Sequence, residues 1–562
     1  MFRISQIIIL IIFVALFCSV AIPAHAANNK YGIHLAQPSD EDIGRAADLV
    51  NSTGGEWGYI TLVIHEDDKK VEKWQPIFDK LRERSIIPII RLATHPDGEN
   101  WAEAHSESVD EWVSFLNDLN WVVKDRYIIL FNEPNHASEW GGAVDPESFA
   151  KVNEAYARAL KEADDDFFIM MGGLDLSAPQ NPPLYMDAEI FLRNIISEIG
   201  VEDYNEYFDG WSSHSYPNPG FSGSPYSSGR GTIRSYEWEL SLLESLGIKE
   251  LPVFITETGW NGDVLSREQI ADYYTYAYEN VWLPDDRVMA VTPFILNYQG
   301  EPFLKFSWIP EGNGGVYPEY ERVQGLEKQV GTPAIIQKGS ITIDLPKKLV
   351  EQSTYHFRIP IKNDGQAIWS RDHGYDFLLD GVDPDEYHIA YTQIKPGDND
   401  IVDVYLSTTD KLGEYNAKLI LYHGDDQIIE SEEWSYEVLT LPSLMFDVSL
   451  FPKLNTQGED FELQIFNKHD DLVFRKGGIS VLDGYGSIEK IDNIALGEEH
   501  RIVLIKEYYL PRQAHTTFNE GENSISFQPL LPFDFDRNGA LGGGDVGALF
   551  ENLKLLGLWW VW

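Results

Sequence analysis

From residue 31 to about residue 330 the chain alternates short apolar runs with amphipathic stretches, and it does so eight times. The apolar runs span 31–35, 57–65, 86–92, 127–131, 167–172, 208–214, 253–256 and 288–296. Short continuous apolar runs of this kind suit strands buried on both faces. Between them apolar residues recur at helical spacing, over 39–51, 71–84, 109–120, 146–163, 188–199, 236–246 and 267–281. Ser39, Asp145, Ser235 and Ser266 stand where helix N-caps are expected, since their side-chain oxygens can accept from the first free backbone N–H groups. Parallel strands need crossover connections, so eight strand runs alternating with these helical stretches predict an α/β fold, a (β/α)8 TIM barrel. A doubly wound open sheet is the competing arrangement, but no G-x-G-x-x-G follows the first strand.

Beyond residue 330 the periodicity shortens to two. Alternating segments over 339–345, 356–361, 387–394, 401–407 and 415–422 are separated by turn residues such as Asn363-Asp364-Gly365 and Pro396-Gly397-Asp398. The expected organisation is a barrel over 27–330, a β-sandwich over 338–440 and a second β-rich domain over 441–530. A short tail over 531–562 completes it. Trp369 and Trp434 are expected in the sandwich core.

Charge and cysteine usage narrow the function classes. The chain has 90 Asp+Glu against 43 Lys+Arg, a formal net charge of -47. A nucleic-acid partner or an anionic membrane surface would need clustered Lys and Arg, so neither is expected. The one cysteine, Cys18, lies in an apolar run over 7–18 that follows Arg3 and precedes Ala24-His25-Ala26. That pattern predicts a signal peptide over 1–26 cleaved after Ala26, hence a secreted or cell-surface product. The mature chain would have no cysteine and no disulfide, and no other apolar run long enough for a transmembrane helix.

Two motifs carry the chemistry. Ile129-Leu130-Phe131-Asn132-Glu133-Pro134-Asn135 ends the fourth strand run, and Val253-Phe254-Ile255-Thr256-Glu257-Thr258-Gly259-Trp260 ends the seventh. In a barrel the C-terminal strand ends converge on one face, which brings Glu133 and Glu257 together across the mouth. Two opposed carboxylates suit glycosidic cleavage, one donating a proton to the leaving oxygen while the other attacks the anomeric carbon. Trp140, Trp260, Tyr298 and Trp308 follow predicted strand ends and are candidate platforms for sugar rings. His34 and His65 end the first two strands.

On these residues the region over 30–325 resembles the clan A glycoside hydrolases, retaining (β/α)8 enzymes that include families 5 and 39. The resemblance implies Glu133 as acid/base and Glu257 as nucleophile, with no cofactor for catalysis. It implies that Asn132 contacts the sugar near the nucleophile. It also implies that His214 and Tyr216, in Trp211-Ser212-Ser213-His214-Ser215-Tyr216, line the site. Arg91, which ends the third run, matches an arginine that keeps the nucleophile ionised. The implied substrate is a β-linked polysaccharide or oligosaccharide. A barrel that has lost turnover and binds carbohydrate or a cell surface is the alternative.

Asp534-Phe535-Asp536-Arg537-Asn538-Gly539-Ala540 and Asp545 place oxygens at positions 1, 3, 5 and 12 of a calcium loop, with a glycine at 6 and the Ala540 carbonyl at 7. The loop is similar to one repeat of an EF-hand-like dockerin, which implies a bound Ca2+ and a scaffold or cell-surface partner for the tail. The 338–440 sandwich looks like an immunoglobulin-like accessory domain.

Overall fold

The computed structural model describes residues 28–551 apart from 313, 410 and 453–455. The expected leader 1–26, with Cys18, and residues 552–562 lie outside the described residues. The chain divides into two compact units, Met1–Ile336 and Gln337–Trp562. Among the described residues no helix is long and apolar enough to cross a membrane.

The first unit is a (β/α)8 barrel. Its strands are β1 Gly32–His34, β2 Gly58–His65, β3 Ile86–Ala93, β4 Arg126–Leu130, β5 Phe167–Met171, β6 Gly210–His214, β7 Val253–Glu257 and β8 Val288–Val291. They pair in parallel and in sequence order, and a bridge between Tyr31 and Val291 joins the last strand to the first. The eighth apolar run is a strand only to Val291. Phe294 and Ile295 beyond it pack with Phe306 in a separate buried cluster.

The barrel floor is aromatic. Tyr59, Tyr127, Phe168 and Phe254, from β2, β4, β5 and β7, meet with ring centroids 5.0 to 6.3 Å apart. Gly210 makes this packing fit, because a Cβ there would lie 2.5 Å from the Phe168 ring. Polar pairs cross the interior above the floor, Thr61 with Thr292 at 2.8 Å and Ser212 with Thr256 at 2.7 Å.

The surrounding helices are amphipathic. The longest, Pro146–Ala163, buries Phe149, Ala150, Val152, Asn153, Tyr156, Ala157 and Leu160 on one stripe. Ser39, Asp145 and Ser266 cap their helices as expected, Ser266 through a reciprocal box with Gln269. Ser235 does not. It is the first residue of its helix, Ser235–Ser245, and its hydroxyl exchanges hydrogen bonds with Thr232 instead.

The second unit holds two pairs of sheets. Strand Thr354–Asn363 buries every second residue, the pattern of a sheet with one solvated face. It belongs to a four-stranded sheet facing a five-stranded one, and Trp369 and Trp434 are buried there. Three- and four-stranded sheets follow, around Leu444, Phe446, Phe461, Leu463, Ile502 and Leu504. A helix, Gly543–Glu551, ends the described chain.

Candidate active site

Strand ends assemble the site. Asn132 and Glu133 leave β4 on a tight bend in which Phe131 has φ 69° and Glu133 φ 24°. Left-handed backbone at non-glycine residues costs about 1–3 kcal/mol each and is retained where the surroundings enforce it. A register shift between Ser213 and His214 on β6 sets His214 opposite Glu257 on β7. Gly173, just past β5, leaves room for the His214 ring, since a Cβ there would lie 2.2 Å from it.

One imidazole nitrogen links the two carboxylates. His214 Nδ1 is 2.8 Å from Glu133 Oε1 and 3.9 Å from Glu257 Oε2. Arg91 Nη1 donates to Glu257 Oε1 at 2.5 Å and to Asn132 Oδ1 at 2.7 Å. The Tyr216 hydroxyl donates to Glu257 Oε2 at 3.0 Å. Asn132 Nδ2 donates to Glu139 Oε2 at 3.2 Å.

The electrostatics divide these acids. Burial opposes ionisation of Glu257, but the charges of His214 and Arg91 outweigh it and hold the carboxyl at about 2. Burial, reinforced by the charge of Glu133, pushes Glu139 up to about 7. His214 is raised, because Glu257 and Glu133 overcome the burial that disfavours its cation. His34, buried beneath them, is pushed down to about 3 by burial and by Arg91, and neither ring nitrogen has a hydrogen-bond partner among the described residues.

These groups border a cavity of about 300 Å³. Arg91, Asn132, Glu133, Tyr216, Glu257 and Trp140 line it, while His214 reaches the carboxylates from below. Trp260 and Trp308 do not line it. Both are buried, and the ring of Tyr274 packs between them at 4.8 Å from each, so no indole face is left for a sugar. The Trp260 indole N–H is taken by the Gly223 carbonyl at 2.9 Å. Tyr298 sits half-buried against Phe303, outside the cavity lining. His65 packs edge-on against Trp101, which does line it.

Several lining residues carried no sequence signal of their own. Glu139, Asp175, Trp101, Phe221, Phe303 and Phe306 come from the connections that follow the barrel strands. His136 directly follows the Asn132–Asn135 motif, and that adjacency is the one clue that could have found it.

In the tail, one ligand atom from each of Asp534, Asp536 and Asp545 lies within 4.8 Å of the others. Asn538 Oδ1 accepts from Ala540 N at 2.8 Å, and its Nδ2 donates to Asp536 Oδ2 at 2.8 Å. The hard oxygen donors fit the chemistry of a calcium ion.

No protein-family model and no curated protein matches the chain. Solved structures similar to it include a family 39 glycoside hydrolase from Bacteroides cellulosilyticus WH2, at 15% identity over 68% of this chain and 81% of that one, TM-score 0.39. A family 39 β-xylosidase from Caulobacter crescentus matches at 12% identity over 86% and 97%, TM-score 0.40. A β-mannanase from Thermomonospora fusca matches at 13% identity over 53% and 89%, TM-score 0.35. Likenesses at TM-scores this low carry nothing into the assignment, which rests on the site.

Proposed function

We propose that the chain is a retaining glycoside hydrolase acting on a β-linked polysaccharide or oligosaccharide. The observation that carries this is the pair Glu133 and Glu257, both within reach of His214 Nδ1 at the C-terminal mouth of the barrel. The carboxylate oxygens facing that nitrogen are separated by no more than the sum of its two distances. That close approach is compatible with the ~5–5.5 Å carboxyl spacing of retaining enzymes.

Glu257, held ionised by His214 and Arg91, attacks the anomeric carbon and forms a glycosyl-enzyme bond as the glycosidic C–O bond breaks. Glu133 gives its proton to the departing oxygen. His214 engages Oε1 of Glu133 and leaves Oε2 to carry that proton. Glu133 then takes a proton from the water that releases the sugar. The test is a glycan panel with product stereochemistry, run on the wild type, Glu257→Ala and Glu133→Gln. Retained configuration with loss of turnover in both variants is expected, and near-wild-type turnover in either refutes the assignment.

Secretion through the 1–26 leader is part of the same reading, because an exported hydrolase meets polysaccharide outside the cell. The sandwich at 338–440 is proposed as its immunoglobulin-like accessory domain. For the tail we propose a calcium loop of dockerin type, with Asp534, Asp536, Asn538, Ala540 and Asp545 as ligands and a scaffold or cell-surface protein as partner. Calcium titration of the full chain followed by calorimetry tests it, and an absence of binding heat removes it.

A further inference from the structure

The cavity has two unlike flanks. Tyr216 and the rings of Phe221, Phe294, Phe303 and Phe306 stand with Glu257. His136, Glu139 and Asp175 stand with Glu133, on the loops that follow β4 and β5.

The polar flank is braced from behind. Asn135 is fully buried; its Oδ1 accepts from Asp175 N at 3.2 Å, and its Nδ2 donates to the carbonyls of Asp175 at 2.9 Å and Met186 at 3.2 Å. This pins the β5 loop to the end of β4. Asp175 Oδ1 takes Ser177 N at 2.8 Å, and its Oδ2 pairs with His136 Nε2 at 2.8 Å. The His136 ring also meets Tyr185 edge-on, with centroids 4.9 Å apart. Its orientation is therefore set, Nε2 is committed to Asp175, and Nδ1 remains for a ligand. Burial disfavours the imidazolium, and the Asp175 hydrogen bond and the charge of Glu133 outweigh that.

In a retaining glycosidase the acid that protonates the leaving oxygen borders the leaving group. His136 adjoins that acid, its backbone N–H donating to the Glu133 carbonyl at 2.9 Å. We infer that His136, held by Asp175, forms a leaving-group subsite that hydrogen-bonds a sugar hydroxyl through its Nδ1, so that the chain cleaves between two sugars rather than releasing an apolar aglycone. This rests on Glu133 being the acid. His136 contacts the substrate, whereas Asp175 acts through it as a positioning residue.

The probes are a glycosyl fluoride and an unmodified β-linked oligosaccharide with the same glycone, chosen from the panel. Fluoride occupies no leaving-group subsite. With His136→Ala, kcat/KM on the oligosaccharide is expected to fall about 10- to 100-fold, and to fall at least about tenfold more than on the fluoride. Asp175→Ala should reproduce the selective loss. Asp175→Asn keeps an acceptor for the Nε2 proton and should restore most of it. Equal losses on both probes, or no loss on either, overturn the inference.

Calorimetry in a Glu257→Ala background separates this subsite from the reading beneath it. There, adding His136→Ala should weaken oligosaccharide binding more than monosaccharide binding. If the wild type turned over nothing while this difference persisted, the catalytic reading would fall and the subsite stand. If turnover required Glu257 but His136→Ala showed no selectivity, the subsite alone would fall.

Discussion

Arg91→Met tests whether the guanidinium is what keeps the nucleophile charged. In the folded protein Nη1 touches both Glu257 Oε1 and Asn132 Oδ1. Burial alone would raise the Glu257 carboxyl; His214 first and then Arg91 bring it to about 2, against 4.5 for an unperturbed glutamate. That displacement is worth on the order of 3 kcal/mol. Arg91 contributes to it twice, by charge and by hydrogen bond, so its loss is expected to raise that carboxyl by on the order of one pH unit. Because Glu257 must be ionised to attack, the acid limb of the kcat/KM profile should move toward neutral pH by about that amount. Activity near pH 3 should therefore suffer more than activity at pH 5 or above. The stability linkage has the matching sign. A depressed folded carboxyl contributes stability above pH 4.5 that is lost as pH falls toward 2, and Arg91→Met should shrink that contribution. Removing one partner of a buried ion pair costs about 3–5 kcal/mol, so circular dichroism must first establish that the variant folds. Arg91→Lys, which keeps the charge and loses the fork, should fall between. An acid limb unmoved in folded Arg91→Met refutes the reasoning.

Tyr216→Phe removes the donor to Glu257 Oε2, a bond to a charged group worth about 1.5–3 kcal/mol, so kcat should drop about tenfold or more. A change confined to KM would contradict that role. Glu239 is buried behind β6, bonded to Ser213 and pushed up to about 7 by burial. Its folded form therefore holds a proton that the unfolded chain has lost, and stability should decline as pH rises from about 4.5 to about 7. Glu239→Gln should abolish up to roughly 3 kcal/mol of that decline, read from denaturant melts at pH 5 and 8; parallel pH dependences would refute it. Trp260→Ala should cost about 3–5 kcal/mol of stability as a core truncation, and a selective loss of substrate binding with unchanged melting would overturn its placement.

The eight barrel strands were legible because strands covered on both faces are continuous apolar runs, and the charged or polar residues ending several of them mark the barrel mouth. Glu133 and Glu257 stood out for that reason, whereas Arg91, Asn132, His214 and Tyr216 were implied by the family resemblance. The short helix Val201–Tyr207 escaped notice because seven residues after Gly200 are too few to display a helical period. The last strand was drawn too long because Phe294 and Ile295 are apolar for another purpose, the cluster with Phe306.

The sequence by itself determined the barrel and the identity of the two opposed carboxylates, since periodicity and strand-end polarity are local properties. Tertiary structure alone decided what stands around them. Trp260 and Trp308 became core because Tyr274, on the helix that lies between them in sequence, packs against both. His136, Asp175 and Glu139 became a polar flank because Asn135 ties two loops together. Side-chain direction in a loop is set by whichever distant groups pack or hydrogen-bond to it, and no spacing along the chain encodes that.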